Sequence, residues 1–111
     1  MSRRGRRRGA DRFRNLDLRT QQLKVRLTIS QVVEELGGKV AVLPAGAERK
    51  RVTCPFCEHD RAGVYDSKAR FYCDRCNIEG ADQIDLVKRY LGTQEVIVAL
   101  EWLEEMDYRK S

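Results

Sequence analysis

Hydrophobic positions fall into short separate groups along this chain, and their spacing changes from helical to strand-like and back. In "LTISQVVEELGG", Val32, Val33 and Leu36 make one apolar stripe while Glu34 and Glu35 fall outside it, predicting a helix over about residues 30–36. Ser30 is the expected cap, and Gly37 and Gly38 the stop. "KVAVLPAGAERKRVTC" then changes period. Val40 and Val42 alternate with other residues, "PAGAE" reads as a turn, and Val52 returns toward Cys54, as in a β-hairpin. A second hairpin is predicted from "GVY" and "RFYC" as arms around "DSKA". If Val64, Phe71 and Cys73 point inward, period two sends Tyr65, Arg70 and Tyr72 outward.

The last third returns to helical spacing. Asp82 is a plausible cap for a helix in which Ile84, Val87 and Leu91 recur at i, i+3 and i+7, and Gly92 breaks it. Thr93 can cap a final helix reaching about Met106, with Val96, Ala99, Leu100 and Leu103 as its stripe and Trp102 on the flank. The fold class that follows is a small α+β domain. A short antiparallel β-sheet is flanked by one N-terminal and two C-terminal helices.

Charge changes the picture only at the N-terminus. The opening "MSRRGRRRGADRFR" holds seven arginines against Asp11, while the remaining residues balance 15 basic against 16 acidic side chains. The net charge of +5 therefore describes a tail, not a folded face. With almost nothing apolar to bury, this Arg/Gly-rich stretch cannot offset its ordering entropy. We expect a disordered basic arm over residues 1–26 and one folded domain over 27–111. Arg3, Arg4, Arg6, Arg7 and Arg8 are the candidates for nonspecific phosphate contacts. A solubilising tail is the plainer reading of the same residues. A mitochondrial transit peptide fits less well, because no amphipathic apolar face accompanies the arginines. No apolar run approaches the ~20 residues of a membrane span, and the N-terminus lacks the apolar core of an export signal. A reducing, cytoplasmic location is expected.

In such a compartment four cysteines point to metal or catalysis before disulfides. Here "CPFC" and "CDRC" give the spacing C-x₂-C-x₁₅-C-x₂-C through Cys54, Cys57, Cys73 and Cys76. Each clasp places two thiolates on one side of an ion, and two clasps complete the tetrahedral sulfur shell that Zn²⁺ prefers. One structural zinc ion is expected, since a closed shell leaves no position open for substrate. A redox pair lacks its usual βαβ setting, and an iron–sulfur cluster fits regular paired clasps less well. His59, the only histidine, is an alternative ligand to Cys57, but the complete sulfur set makes an exposed side chain the simpler reading.

Basic residues beside aromatic ones occupy the segment between and around the clasps. Arg61, Tyr65, Lys68, Arg70, Tyr72 and Arg75 are candidate nucleic-acid contacts, because rings stack on unpaired bases while cations follow the backbone. Ordinary cross-strand pairs on a solvated sheet are the competing reading.

"VTCPFC", "RFYCDRC", "GADQIDLV" and "ALEWLEEM" together resemble the N-terminal zinc-binding domain of bacterial and bacteriophage DNA primases. The likeness covers roughly residues 28–106 and rests on the clasps combined with Pro55, Phe71, Tyr72, Gly80 and Ile84. Family members carry His or Cys at the second ligand, and this chain has Cys57; their polar stretch after it is reduced here to "HDRAGVY". The resemblance implies a zinc ribbon that binds single-stranded DNA template and works with a separate catalytic primase or helicase subunit. The acidic catalytic fold is expected to be missing, and no residue is assigned a catalytic role. Two other readings share these residues. One is a stand-alone zinc-ribbon regulator; the other is a zinc-stabilised protein adaptor using the acidic terminal helix and Trp102.

Overall fold

A computed structural model describes residues 13–41 and 48–110. Two helices come first, α1 (Leu16–Arg26) and α2 (Ile29–Glu35). Four strands follow, β1 (Arg49–Val52), β2 (Ala62–Tyr65), β3 (Arg70–Cys73) and β4 (Ile78–Ala81), and the chain closes with α3 (Gln83–Leu91) and α4 (Val96–Lys110). The strands form one antiparallel meander in the order β1-β2-β3-β4, so each strand pairs with its neighbour in sequence. The expected α+β class is the one observed.

Period two sorts the sheet into two faces. Val52, Ala62, Val64, Phe71 and Cys73 are all buried, and they join one core with Ile29, Val32 and Val33 of α2, Leu86 and Val87 of α3, and Leu100 and Leu103 of α4. The helices thus form one layer and the sheet the other, with the sheet's second face left uncovered by any described element. The first hairpin is present in part. Val40 bridges Val52, flanked by bonds from Ala41 N–H to the Arg51 carbonyl and from Thr53 N–H to the Lys39 carbonyl. Val42 and most of the expected turn lie outside the described residues. Gly38 sits where a Cβ would meet the Thr53 carbonyl at 2.5 Å, so the absence of a side chain lets the end of α2 close onto this hairpin.

The sequence reading needs correcting at three places. The expected arm over 1–26 overreaches, because Leu16–Arg26 is helical; residues 1–12, with Arg3, Arg4, Arg6, Arg7 and Arg8, lie outside the described part. Of this helix only Leu23 is buried, so its apolar pattern is thin. Leu16 packs partly buried against the same core, and ion pairs add to the contact. Arg19 meets both Glu104 oxygens at 2.8 and 2.9 Å, Arg26 meets Asp107 at 2.9 Å, and Lys24 meets Asp82 at 2.9 Å. These are tertiary partners some 58 to 85 residues away, which local composition does not reveal.

Thr28, not Ser30, caps α2. Its side chain accepts the Gln31 N–H while Gln31 accepts the Thr28 N–H, a reciprocal capping box. Ser30 is buried and bonds elsewhere. In the C-terminal helices, Asp82 caps α3 as expected and Gly92 ends it in the left-handed region at φ 70°. Ile84, Val87, Ala99, Leu100 and Leu103 are buried as expected, but Leu91 and Val96 stand exposed near the turn between α3 and α4, and Leu86 and Ile97 are buried in addition. α4 also starts later than expected, with Thr93 accepting the Glu95 N–H ahead of it, and runs on to Lys110.

Candidate functional site

The first Cys-x-x-Cys segment lies in the β1–β2 connection and the second runs from the last residue of β3 into the β3–β4 connection, which a meander places at the same end of the sheet. Local backbone geometry shapes each as a tight knuckle. Glu58 N–H bonds back to the Cys54 carbonyl at 2.9 Å, and Asn77 N–H to the Asp74 carbonyl at 3.1 Å. Each knuckle ends on a left-handed residue directly after its second cysteine, Glu58 at φ 64° and Asn77 at φ 60°. Asn tolerates this region; Glu does so at a cost.

All four sulfurs come together, lying within 4.8 Å of one another. Cys54 Sγ is 3.7 Å from Cys76 Sγ, and Cys57 Sγ is 3.6 Å from Cys73 Sγ. Both distances far exceed the ~2.05 Å of a disulfide. They match the ~3.8 Å edge of a tetrahedron whose centre sits ~2.3 Å from four sulfurs. The donor set therefore fits one tetrahedral metal ion, held by Cys54, Cys57, Cys73 and Cys76. Cys54 and Cys73 are buried, whereas Cys57 and Cys76 are half-buried.

As a bare thiol Cys54 is pushed up to about 12 by burial, and burial also raises Cys76. Cys57 falls to about 7; burial opposes this, but the His59 amide and the neighbouring sulfurs outweigh it. A dication bound by the thiolates offsets the desolvation that otherwise keeps the deep thiols protonated. Backbone amides assist, with Phe56 N–H 3.4 Å from Cys54 Sγ. His59 is not among the clustered donors. Its contribution is through the main chain, where its carbonyl accepts the Cys54 N–H at 2.8 Å.

The uncovered sheet face is built from the alternate strand positions. Registry aligns Arg49, Tyr65 and Arg70 in one row across β1–β3, and Arg51, Gly63 and Tyr72 in the next. Tyr65 and Tyr72 are half-buried and meet edge to face, their centroids 5.6 Å apart at 81°. Lys68, at the β2–β3 tip, places its ammonium 5.3 Å from the Tyr65 ring centroid. Four of the six expected contacts, Tyr65, Lys68, Arg70 and Tyr72, are thereby brought together. Arg61 precedes β2 as an exposed residue, and Arg75 stands exposed in the second knuckle, at the opposite end of β3 from Lys68.

Arg49 and Arg51 belong to this surface and were not among the residues singled out from the sequence. The "RKRV" alternation carried the signal, but only pairing β1 with β2 shows that both share a face with Tyr65. Among the described residues, no carboxylate pairs with Arg49, Arg51, Arg61, Lys68, Arg70 or Arg75. On the helical layer the pattern reverses. Arg19, Lys24, Arg26, Arg109 and Lys110 all meet acids, and Glu104 and Asp107 of α4 are engaged within the fold.

Arg89 was also missed. Projecting from α3, its guanidinium lies 5.4 Å from the Phe56 ring centroid in the first knuckle and donates to the Cys76 carbonyl in the second at 3.4 Å. At the other end of the sheet, Asp66 accepts from Ser30 N–H and Oγ and from Lys50 Nζ. Among the described residues no helix is long and apolar enough to cross a membrane.

Comparisons with protein-family models, curated proteins and solved structures found no match to this chain.

Proposed function

We propose that this protein is a zinc-held module that binds single-stranded nucleic acid, and that it serves as the template-binding component of a DNA primase. The observation that carries the binding reading is the contrast in charge pairing. Among the described residues, the cations around Tyr65 and Tyr72 lack acidic partners, whereas Arg19, Lys24, Arg26, Arg109 and Lys110 on the helical layer have them. Rings flanked by unneutralised arginines offer stacking and phosphate attraction together, the two terms that hold an unpaired strand. The finer assignment to a primase rests on the motif set "VTCPFC", "RFYCDRC" and "GADQIDLV".

Zinc is the metal this reading requires. Four thiolates at tetrahedral spacing are its ordinary structural shell, and no position remains for a reacting group. The ion would hold the knuckles while the sheet presents its face, so little ordering is needed on binding. Catalysis would belong to a separate subunit, with this chain, working in the cytoplasm, contributing no catalytic residue. The adaptor reading is less favoured because Glu104 and Asp107 are already engaged with Arg19 and Arg26.

Fluorescence anisotropy of the zinc-loaded protein with single-stranded DNA, repeated over a salt series, tests the binding reading. Binding should weaken steeply with salt, and Arg70→Ala should cost about 1 kcal/mol and lower the salt slope by about 0.7. No binding at low salt, or binding indifferent to salt, would remove the reading. The primase assignment has its own test: primer synthesis by a catalytic primase subunit from the same cell, with and without this protein. Equal yields would count against it.

A further inference from the structure

Gly63 occupies the middle of the uncovered face, between Arg51 on β1 and Tyr72 on β3, in regular antiparallel register. Nothing in the backbone calls for glycine there, since Gly63 is not among the positive-φ residues and the irregularity in the sheet lies between Phe71 and Tyr72. A glycine inside a strand weakens it, and it commonly marks close approach by another group. Here that group is a side chain. A Cβ at Gly63 would collide with the Nη2, Cζ and Nε atoms of Arg49, so the whole guanidinium plane rests on the bare strand. Gly63 is buried beneath it, while Arg49 itself remains exposed. The Arg61 carbonyl accepts from Arg49 Nη2 at 3.5 Å, which restrains the group in plane.

We propose that Arg49, laid flat over Gly63, is a stacking shelf for one unpaired nucleobase, a role that rests on the nucleic-acid reading above. One face of the guanidinium lies against the strand, and Arg49 as a whole is exposed to solvent. Tyr65, its direct cross-strand partner, stands beside it with Tyr72. A guanidinium is planar and weakly hydrated, so a base can cover it at little desolvation cost while its charge still attracts phosphate. Lysine at the same place would supply the charge and no shelf. The site is thus a one-base subsite formed by Arg49, Gly63, Tyr65 and Tyr72, and glycine is the residue that lets the shelf lie down.

Two strands separate stacking from charge: a short oligothymidylate, and the same phosphate backbone carrying abasic positions throughout. Each is titrated by anisotropy against the zinc-loaded full chain as wild type, Arg49→Lys, Gly63→Ala and Arg70→Ala. Arg49→Lys should bind oligothymidylate about five- to tenfold more weakly, given the usual strength of base stacking, with its salt slope unchanged. On the abasic strand it should match the wild type. Gly63→Ala displaces a flexible side-chain end while keeping every charge, so it should reproduce both results. If Arg49→Lys and Gly63→Ala bind both strands as the wild type does while Arg70→Ala binds less tightly, the shelf is refuted and the binding reading stands. If the wild type binds neither strand, both fall together.

Discussion

The Arg89 guanidinium joins the two cysteine knuckles from outside, facing the Phe56 ring at 5.4 Å and the Cys76 carbonyl at 3.4 Å. It touches no sulfur, yet it links α3 to both halves of the cluster. An exposed cation–π contact is worth about 0.5–1 kcal/mol, and the long hydrogen bond adds little. Arg89→Ala should therefore lower stability by about 1 kcal/mol and speed metal transfer to a colorimetric chelator, with the fold retained. Unchanged transfer kinetics would mean that the knuckles hold their shape without α3.

Removing a donor has a larger effect. Cys73 is at once a buried member of the core and one of the four clustered sulfurs. Cys73→Ser leaves three sulfurs, and a structural ion held by all four would supply much of the folding free energy of so small a domain. The variant should show lost circular dichroism at neutral pH, and the wild type should lose its signal in the same way when excess chelator is added. A spectrum indifferent to chelator would contradict a structural metal.

Asp66 ties the β2–β3 tip to α2 and has a pH signature. Burial works to raise its pKa, but hydrogen bonds from Lys50 and Ser30 outweigh burial and hold the carboxyl below its ordinary value. A depressed folded pKa means stability that is fully present above the unfolded value of about 3.9 and is lost as pH falls through the folded one. Asp66→Asn should cost about 1–3 kcal/mol at neutral pH, since it leaves the Lys50 ammonium and the Ser30 donors poorly matched. The gap between wild type and variant, which cancels acid effects common to both, should close as pH falls below the ordinary carboxylate range. Urea midpoints measured across this range decide it; a gap of constant size would exclude the carboxylate as its source.

Glu58 carries a cost that Asn77, its counterpart in the second knuckle, largely avoids. A left-handed Glu is strained by about 1–2 kcal/mol, whereas glycine takes φ 64° freely and gives back about 0.4–1 kcal/mol through the unfolded chain. Glu58→Gly should raise stability by about 0.5–1 kcal/mol, seen as a higher denaturation midpoint with an unchanged slope. A lower midpoint would imply that the Glu58 side chain makes contacts that outweigh its backbone strain.

The cysteine quartet, the β2–β3 hairpin and the Asp82 cap were legible in the sequence because each is written in residues close together. α1 was not, since its partners Glu104, Asp107 and Asp82 lie far along the chain and its apolar contact is limited to buried Leu23 and partly buried Leu16. The cap at Thr28 was misread as Ser30 because both residues suit the role, and only the Asp66 contact shows where the Ser30 hydroxyl is used. For the outer face, alternation identified Tyr65, Arg70 and Tyr72 within one hairpin. Adding Arg49 and Arg51 required the β1–β2 register, which a partly apolar loop of unknown reach does not disclose.

The position of the two knuckles at one end of a four-strand meander has a consequence for how the chain assembles. Side chains alternate with period two, so a slip of one residue in β3 would turn Cys73 toward the outer face and Tyr72 toward the core. Such a chain can no longer close four sulfurs around a single ion. A metal ion bound by the four cysteines would therefore proofread strand alignment: only molecules in which every hairpin has paired correctly could retain it, and misaligned ones would be left free to unfold and try again.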